Sequence, residues 1–318
     1  MRFEKAAVIG TGMMGPGIAV TLAFGGVSSV LLSRTEEGAR QGLDKARANI
    51  DFLLDAGLID DAKARDARER IRASSDAMAE VAGVDLVIES APENMAFKKD
   101  LFADLERAAR PDAVLATNTS GLSITEIASA CQRPERVVTT HFWNPPHLMP
   151  LVEIVRGEKT SPAIAEALHA LLLACGKVPV IVKKDRPGQL GNRLQHALIR
   201  EAANIVAEGI ADAEDVDLAA KMGFGLRLPV YGILEHQDMV GLDMGTAITD
   251  YVCADLNNEG RAPEIMHQKV REGNLGVKTG LGFYDWSKRS APAVRALRDE
   301  WLREYLKTPF LKRVLAQS

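Results

Sequence analysis

The stretch VIGTGMMGPG, residues 8–17, decides the fold. Gly10, Gly12 and Gly15 stand at G-x-G-x-x-G spacing, and Gly17 adds a further glycine. The apolar run AAVIG, residues 6–10, leads into them, and an apolar helical pattern, residues 15–25, leads away. A strand that ends in such a loop and opens a helix lets the backbone approach a pyrophosphate, which the helix N-terminus stabilises. Gly10, Gly12, Met13, Met14 and Gly15 are therefore expected to contact a nicotinamide dinucleotide.

Outward from this loop, apolar strands recur. They read SVLLS at 29–33, DLVIES at 85–90, AVLATN at 113–118, RVVTTHF at 136–142 and PVIV at 179–182. Residues 36–74 are charged and read as helical, and helical patterns lie between most of the other runs. Strand–helix alternation predicts an α/β Rossmann domain, with a doubly wound, mostly parallel sheet covered on both faces. The turn-rich DRPG at 185–188 marks a change. Beyond it apolar residues recur at helical spacing without strand runs. The expected division is a dinucleotide-binding domain over 1–186 and an all-helical C-terminal domain over 187–318, for substrate and dimerisation. Residues 301–318 read as an amphipathic helix broken at Pro309.

The chain of 318 residues, 47% hydrophobic, is long enough for two ordinary domains. A net charge of −4 argues against nucleic acid, whose phosphates need a basic surface. No uncharged apolar run approaches the roughly 18 residues of a membrane span. The N-terminus enters a strand without a signal-peptide layout. Cys131, Cys175 and Cys253 are odd in number and far apart, so they match neither a disulfide framework nor a zinc spacing. A cytoplasmic enzyme with reduced thiols, acting on a small molecule, fits best.

Readers of NAD usually place an acid at the end of the second strand, for the ribose 2′-hydroxyl. Here Ser33 stands in that place and Arg34 follows. Serine can donate to a 2′-phosphate and arginine can grip it bidentately. The expected cofactor is NAD(P), with NADP(H) favoured slightly over NAD(H). The alternative is a surface arginine stacked on adenine.

In HFWNPPHLMPLVEIV, residues 141–155, a histidine ends an apolar strand and a glutamate interrupts an apolar segment. His141 is at the C-terminal end of its strand, where open α/β sheets place ligands. Its near-neutral pKa suits removal of a hydroxyl proton. Glu153, if its segment folds back, could fix the ring tautomer and stabilise the imidazolium. His147 is near, but Pro145 and Pro146 rule out a helical histidine pair, so no metal site is expected. His169, His196, His236 and His267 lie in helical patterns and read as packing or surface residues.

These motifs, in order and spacing, resemble the 3-hydroxyacyl-CoA dehydrogenase family over nearly the whole chain. The matching stretches are GTGMMG, DLVIESAPEN, FKKDLF, ATNTSGLSIT, HFWNPP, PLVEIV, PGQLGNR, GLD at 241–243 and VKTGLGFYDW. The resemblance implies His141 as general base with Glu153 as its partner, and Ser120 and Asn192 positioning the substrate oxygen. It implies Ser90, Glu93, Lys98, Asn118, Asn144 and Lys278 along the cofactor and active site, and pairing of two chains through the helical domain. A non-catalytic, crystallin-like or cofactor-sensing protein on the same fold is the competing class. The retention of Ser120, His141, Glu153 and Asn192 together argues against it.

The chain also departs from thioester-using members. NPPHLMPLVEI, with Pro146 and Pro150, resembles relatives that act on free acids. DFLLDAGLIDDAK, residues 51–63, is acidic where lysines would suit coenzyme A phosphates. Lys63, Arg65 and Arg68 remain as basic groups able to meet a phosphate. Tyr231-Gly232-Ile233 replaces a usual Gly-Pro-Phe, which puts the outer substrate pocket in doubt. These departures tilt the expected substrate slightly toward a CoA-free hydroxy acid, with a short-chain 3-hydroxyacyl-CoA thioester as the alternative.

Overall fold

Short runs such as AAVI and LVIE are apolar at successive positions, so they are satisfied only by a sheet buried on both faces. The computed structural model describes residues 1–315. Its first unit carries eight strands: β1 (Lys5–Ile9), β2 (Ser28–Leu32), β3 (Ile71–Ser74), β4 (Leu86–Glu89), β5 (Val114–Thr117), β6 (Val137–Phe142), β7 (Leu151–Arg156) and β8 (Val178–Val182). They pair in the order β3-β2-β1-β4-β5-β6-β7-β8. Neighbours are parallel except β6 and β7, which run antiparallel. The helices of this unit are α1 (Gly15–Phe24), α2 (Glu36–Asp55), α3 (Asp61–Arg70), α4 (Ala77–Val81), α5 (Met95–Ala108), α6 (Ile124–Ala128), α7 (Pro162–Ala174) and the start of α8 (Gly191–Ala207). Strand order reverses around β1, between β2 and β4, and open α/β sheets bind ligands beyond the C-terminal strand ends at such a switch point.

The core behaves as the runs require. Ala7, Val8, Leu86, Val87, Val114, Leu115, Val137, Val138 and Ile154 are fully buried. Residues 15–23 of α1 are buried throughout, so this helix is wrapped on all sides rather than amphipathic.

Two stretches differ from the sequence reading. Residues 36–74 are not one helical stretch. Gly57, at φ +68°, ends the first helix, Asp60 caps the second by accepting from the Lys63 N–H, and the chain then forms edge strand β3. Four residues with one buried apolar side chain, Ile71, carry too little alternation to announce a strand. Residues 151–156, read as an apolar segment, form a full strand between β6 and β8.

Residue contacts divide the chain into Met1–Arg193 and a second unit beginning at Leu194. The second unit holds α9 (Ala213–Met222), α10 (Phe224–Arg227), α11 (Ile233–Val240), α12 (Leu242–Cys253), α13 (Glu264–Arg271), α14 (Ala291–Lys307) and α15 (Pro309–Leu315). Outside the named strands, isolated bridges join Gly276 to Leu281 and Leu281 to Asp285. The tail breaks before Pro309 as its sequence suggests, and residues 316–318 lie outside the described residues. Among the described residues no helix is long and apolar enough to cross a membrane, and no cluster of side chains could hold a metal ion.

Candidate active site

The antiparallel pairing of β6 and β7 sets His141 directly opposite Glu153. Residues opposed across two strands project to the same face. His141 Nδ1 and Glu153 Oε2 are 2.7 Å apart, with His141 5% and Glu153 0% exposed. The indole Nε1–H of Trp143 donates to the same oxygen at 3.1 Å. The backbone N–H groups of Leu190 and Gly191 donate to Oε1, each at 2.9 Å. Those two amides stand at the start of α8, where unpaired N–H groups favour an anion. Burial pushes the Glu153 carboxyl up, but the bonds from His141, Gly191 N–H and Trp143 together outweigh it and hold it below the usual carboxylate range. The glutamate therefore stays ionised beside the ring, and its Oε2 accepts the hydrogen bond from Nδ1–H. That leaves Nε2 of His141 as the proton-accepting atom.

A second buried carboxylate lies at the end of β4. Glu89 is 0% exposed and Lys98 of α5 is 1% exposed, and they form an ion pair at 2.6 Å. Glu89 also accepts from Thr117 Oγ1 at 2.6 Å and from the Ala91 N–H at 2.5 Å. Lys98 reaches the Ala91 carbonyl at 3.3 Å and Glu93 at 3.7 Å. Glu93 then accepts from Thr119 Oγ1 at 2.8 Å and from the Ser120 N–H at 2.6 Å. Asn118 joins the clusters: its Nδ2 donates to Ser90 Oγ at 3.3 Å and its Oδ1 accepts from the Phe142 N–H at 2.8 Å. Asn192 Nδ2 donates to the Ser120 carbonyl at 2.8 Å.

The glycine loop passes a direct test of fit for a dinucleotide. Gly10 has φ +106°, and a Cβ there would be 2.5 Å from the Ser90 carbonyl oxygen. A Cβ on Gly15 would be 1.8 Å from the Gly10 carbonyl oxygen, so α1 starts hard against the loop. At Gly12 nothing lies within 4 Å, which leaves the open approach a pyrophosphate needs. Met13 is exposed beside it, and Met14 occupies the N-cap position of α1. At the end of β2, Ser33 Oγ faces Thr11 Oγ1 at 3.4 Å and Arg34 is exposed.

The first unit carries the glycine loop, Ser33, Arg34, Ser90, Glu93, Asn118, Ser120, His141, Asn144, Glu153 and Asn192, and hydrogen bonds link Ser90 to Asn118, Glu93 to Ser120, Ser120 to Asn192 and His141 to Glu153. Lys98 lies beneath the Ser90–Glu93 loop rather than on its open side, and its ammonium is taken up by Glu89 and Ala91. Lys278 lies in the second unit, exposed in the turn after α13. Sequence reasoning missed Glu89, Trp143 and Lys45, whose Nζ reaches the Thr11 carbonyl of the glycine loop at 3.3 Å. Glu89 carried the same signal as Glu153, a carboxylate inside an apolar run. Trp143 carried one too, since a part-buried indole N–H needs an acceptor.

Residues 5–186 match "3-hydroxyacyl-CoA dehydrogenase, NAD binding domain", and residues 188–286 match "3-hydroxyacyl-CoA dehydrogenase, C-terminal domain". The chain belongs to the 3-hydroxyacyl-CoA dehydrogenase family. It is an oxidoreductase of the NAD-dependent kind, acting on a CH–OH group. Within the family it is 35% identical over 302 residues to 5-formyl-3-hydroxy-2-methylpyridine 4-carboxylate 5-dehydrogenase of Mesorhizobium japonicum, covering 93% of this chain and 94% of that protein. It is 36% identical over 285 residues to 3-hydroxybutyryl-CoA dehydrogenase of Clostridioides difficile, covering 89% and 100%. A crystal structure of the pyridine-carboxylate dehydrogenase, described as an NAD+ dependent dismutase, superposes with a TM-score of 0.88 at 33% identity, covering 96% of this chain and 97% of that one.

Proposed function

We propose that this 3-hydroxyacyl-CoA dehydrogenase family member reversibly oxidises a CoA-free hydroxy acid, with His141 as general base. The His141–Glu153 pair carries the chemical part of that reading. When bound, the nicotinamide supplies the hydride acceptor in oxidation and the donor in reduction. Gly10, Gly12, Met13, Met14 and Gly15 hold its pyrophosphate, and Ser90, Glu93, Asn118 and Asn144 serve its nicotinamide side, with Lys98 supporting their loop from below. His141 Nε2 takes the substrate's hydroxyl proton, and the ionised Glu153 stabilises the imidazolium. Ser120 and Asn192 orient the oxygen, with the Ser120 backbone held by Glu93 and Asn192. In reduction His141 returns the proton to the nascent alkoxide.

The CoA-free substrate class is supported by the α2–α3 hairpin. Arg68 is paired with Asp51, and Lys63 sits over the Phe24 ring at 4.9 Å. Two of the three basic groups able to meet a coenzyme A phosphate are thereby engaged. The end-to-end likeness to the pyridine-carboxylate dehydrogenase points the same way. The Clostridioides difficile relative favours the thioester reading. Turnover of 5-formyl-3-hydroxy-2-methylpyridine 4-carboxylate and of free 3-keto acids, beside acetoacetyl-CoA, separates the two. Activity confined to free acids is expected, and rapid reduction of acetoacetyl-CoA would overturn it.

For the cofactor we propose that NADP(H) is used alongside NAD(H), with a slight preference for NADP(H). Arg34 is exposed at the end of β2, beside Ser33 and within the region of Lys45 and Thr11. Arg34→Ala is expected to lower kcat/KM with NADPH about tenfold while sparing NADH, since a bidentate phosphate contact is lost. Equal rates with both cofactors in wild type and variant would remove the idea. A homodimer through the second unit is also proposed, because Leu234, Met239, Leu242 and Tyr251 there are each more than half exposed. Light scattering at twice the chain mass is the expected result. Three unpaired cysteines, Cys131, Cys175 and Cys253, fit work in the cytoplasm.

A further inference from the structure

Lys177 stands between α7 and β8, with 7% of its surface exposed. Among the described residues its Nζ meets no carboxylate but two backbone carbonyls of one loop, Pro146 at 2.6 Å and Met149 at 3.0 Å. The loop is residues 143–150, which joins β6 to β7 and carries Trp143 and Asn144. It is drawn into a turn by the Leu148 and Met149 N–H groups, which donate to the Pro145 carbonyl at 3.0 and 2.8 Å. Its other side rests on α1. Thr21 Oγ1 donates to the Pro146 carbonyl at 3.3 Å, and a Cβ on Gly17 would be 2.6 Å from Pro146 Cγ. The Pro146 carbonyl is thus the junction of β8, the loop and the helix whose first turn faces the pyrophosphate.

A buried ammonium is unfavourable for folding, and a methionine of similar length would fill the volume without that penalty. What the charge supplies is a pair of charge-assisted hydrogen bonds that fix two carbonyls in place. We infer that Lys177 is a positioning residue for hydride transfer, which locks the loop bearing Trp143 and Asn144 onto α1. It thereby holds the His141–Glu153 side of the reaction in register with the nicotinamide side. The inference rests on the reading of His141 as general base.

The proton on Lys177 gives a second handle. Burial pushes its pKa down to about 8. The elements around it bring Glu166, His169 and Cys175 from α7 and its C-terminal end, His147 from the loop, and Glu153 and Arg156 from β7, while α1 brings no titratable side chain. Cys175, pushed up to about 12 by burial, is a neutral neighbour. Above pH 8 the folded chain gives up a proton that the unfolded chain keeps, so stability rises with pH there. The clamp meanwhile weakens, because a neutral amine makes weaker bonds than an ammonium. Rate and stability then move in opposite directions.

The test compares wild type, Lys177→Met and Lys177→Arg, with kcat, the dinucleotide KM and the melting temperature measured from pH 6 to 10. Dinucleotide affinity is measured separately, by fluorescence quenching without substrate. In Lys177→Met, kcat is expected to fall about tenfold to a hundredfold, the scale of a misplaced reacting group, and dinucleotide KM to rise several-fold. Lys177→Arg is expected to recover most of both and to lose the decline of kcat above pH 8. Wild-type kcat and KM in Lys177→Met, or a lower melting temperature with unchanged kinetics, would overturn the inference. Should Lys177→Met fail to fold, Thr21→Val tests the same junction and is expected to raise dinucleotide KM in the same direction. No change in Thr21→Val would count against the inference. The quenching measurement needs no substrate and no base, so failure of the His141 reading would leave it standing while failure of the clamp would not.

Discussion

Among the described residues two carboxylates are fully buried, Glu89 and Glu153, and they are handled in opposite ways. Glu89 is matched by a permanent cation, Lys98, together with a threonine hydroxyl and one backbone N–H. Glu153 is matched by a ring that can gain or lose a proton, an indole N–H and two helix-start amides. Glu89 is a closed ion pair, which suits a group that supports a loop. Glu153 keeps its negative charge through neutral donors, so the imidazole beside it is free to cycle between charge states. Burial alone therefore does not tell the two carboxylates apart; the nature of their donors does.

The largest effect expected from this contrast is on rate. His141→Ala is expected to lower kcat about 10⁴-fold with dinucleotide binding retained, and Glu153→Gln about 10²- to 10³-fold. If Glu153→Gln turned over at the wild-type rate, the two carboxylates would have to be regarded as equivalent supports. The next effect is on stability. Lys98→Met strands the Glu89 charge in the core and is expected to destabilise the fold by about 3–5 kcal/mol, as other broken buried pairs do. Chemical denaturation measures it, and a loss under about 1 kcal/mol would show that Glu89 finds other compensation.

The smallest effect is on the acid limb. Glu153 titrates below the ordinary carboxylate range in the folded chain. The unfolded chain therefore binds the extra proton first as pH falls. The stabilisation from Glu153 is full above the ordinary glutamate value and fades as pH drops through the depressed one. Glu153→Gln should flatten part of the acid decline in melting temperature. An unchanged acid limb would mean that Glu153 is not held low.

The sequence showed much of this, for reasons that can be named. The glycine loop, the apolar strands and the histidine at a strand end carry their meaning in local chemistry. Glu153 was visible because a carboxylate in LVEIV has no apolar excuse; Glu89 in LVIES carried the same signal and was missed. Other parts were not legible. The amides of Leu190 and Gly191 reach Glu153 because Gln189 takes φ +56° and turns the chain into α8, and no side chain announces that. Trp143 could have packed in several directions; it lies where a Cβ on Gly191 would meet its Cζ2 at 2.5 Å. Edge strand β3 was hidden by its length and polarity, and the placement of Lys98 beneath its loop by the long reach of its side chain.

One feature of the sheet has parity. His141 faces Glu153 because β6 and β7 are paired in one particular antiparallel register. Side chains alternate along a strand, so a one-residue slip would set His141 against Val152 or Ile154 and turn the carboxylate to the opposite face. A single inserted or deleted residue inside β7 would thus separate acid from base while leaving composition, hydrophobicity and strand length almost untouched. A two-residue shift would restore the face but not the partner. Among homologues, then, length changes between these two strands belong in the loop, and the count of residues from the strand ends to His141 and to Glu153 should not drift.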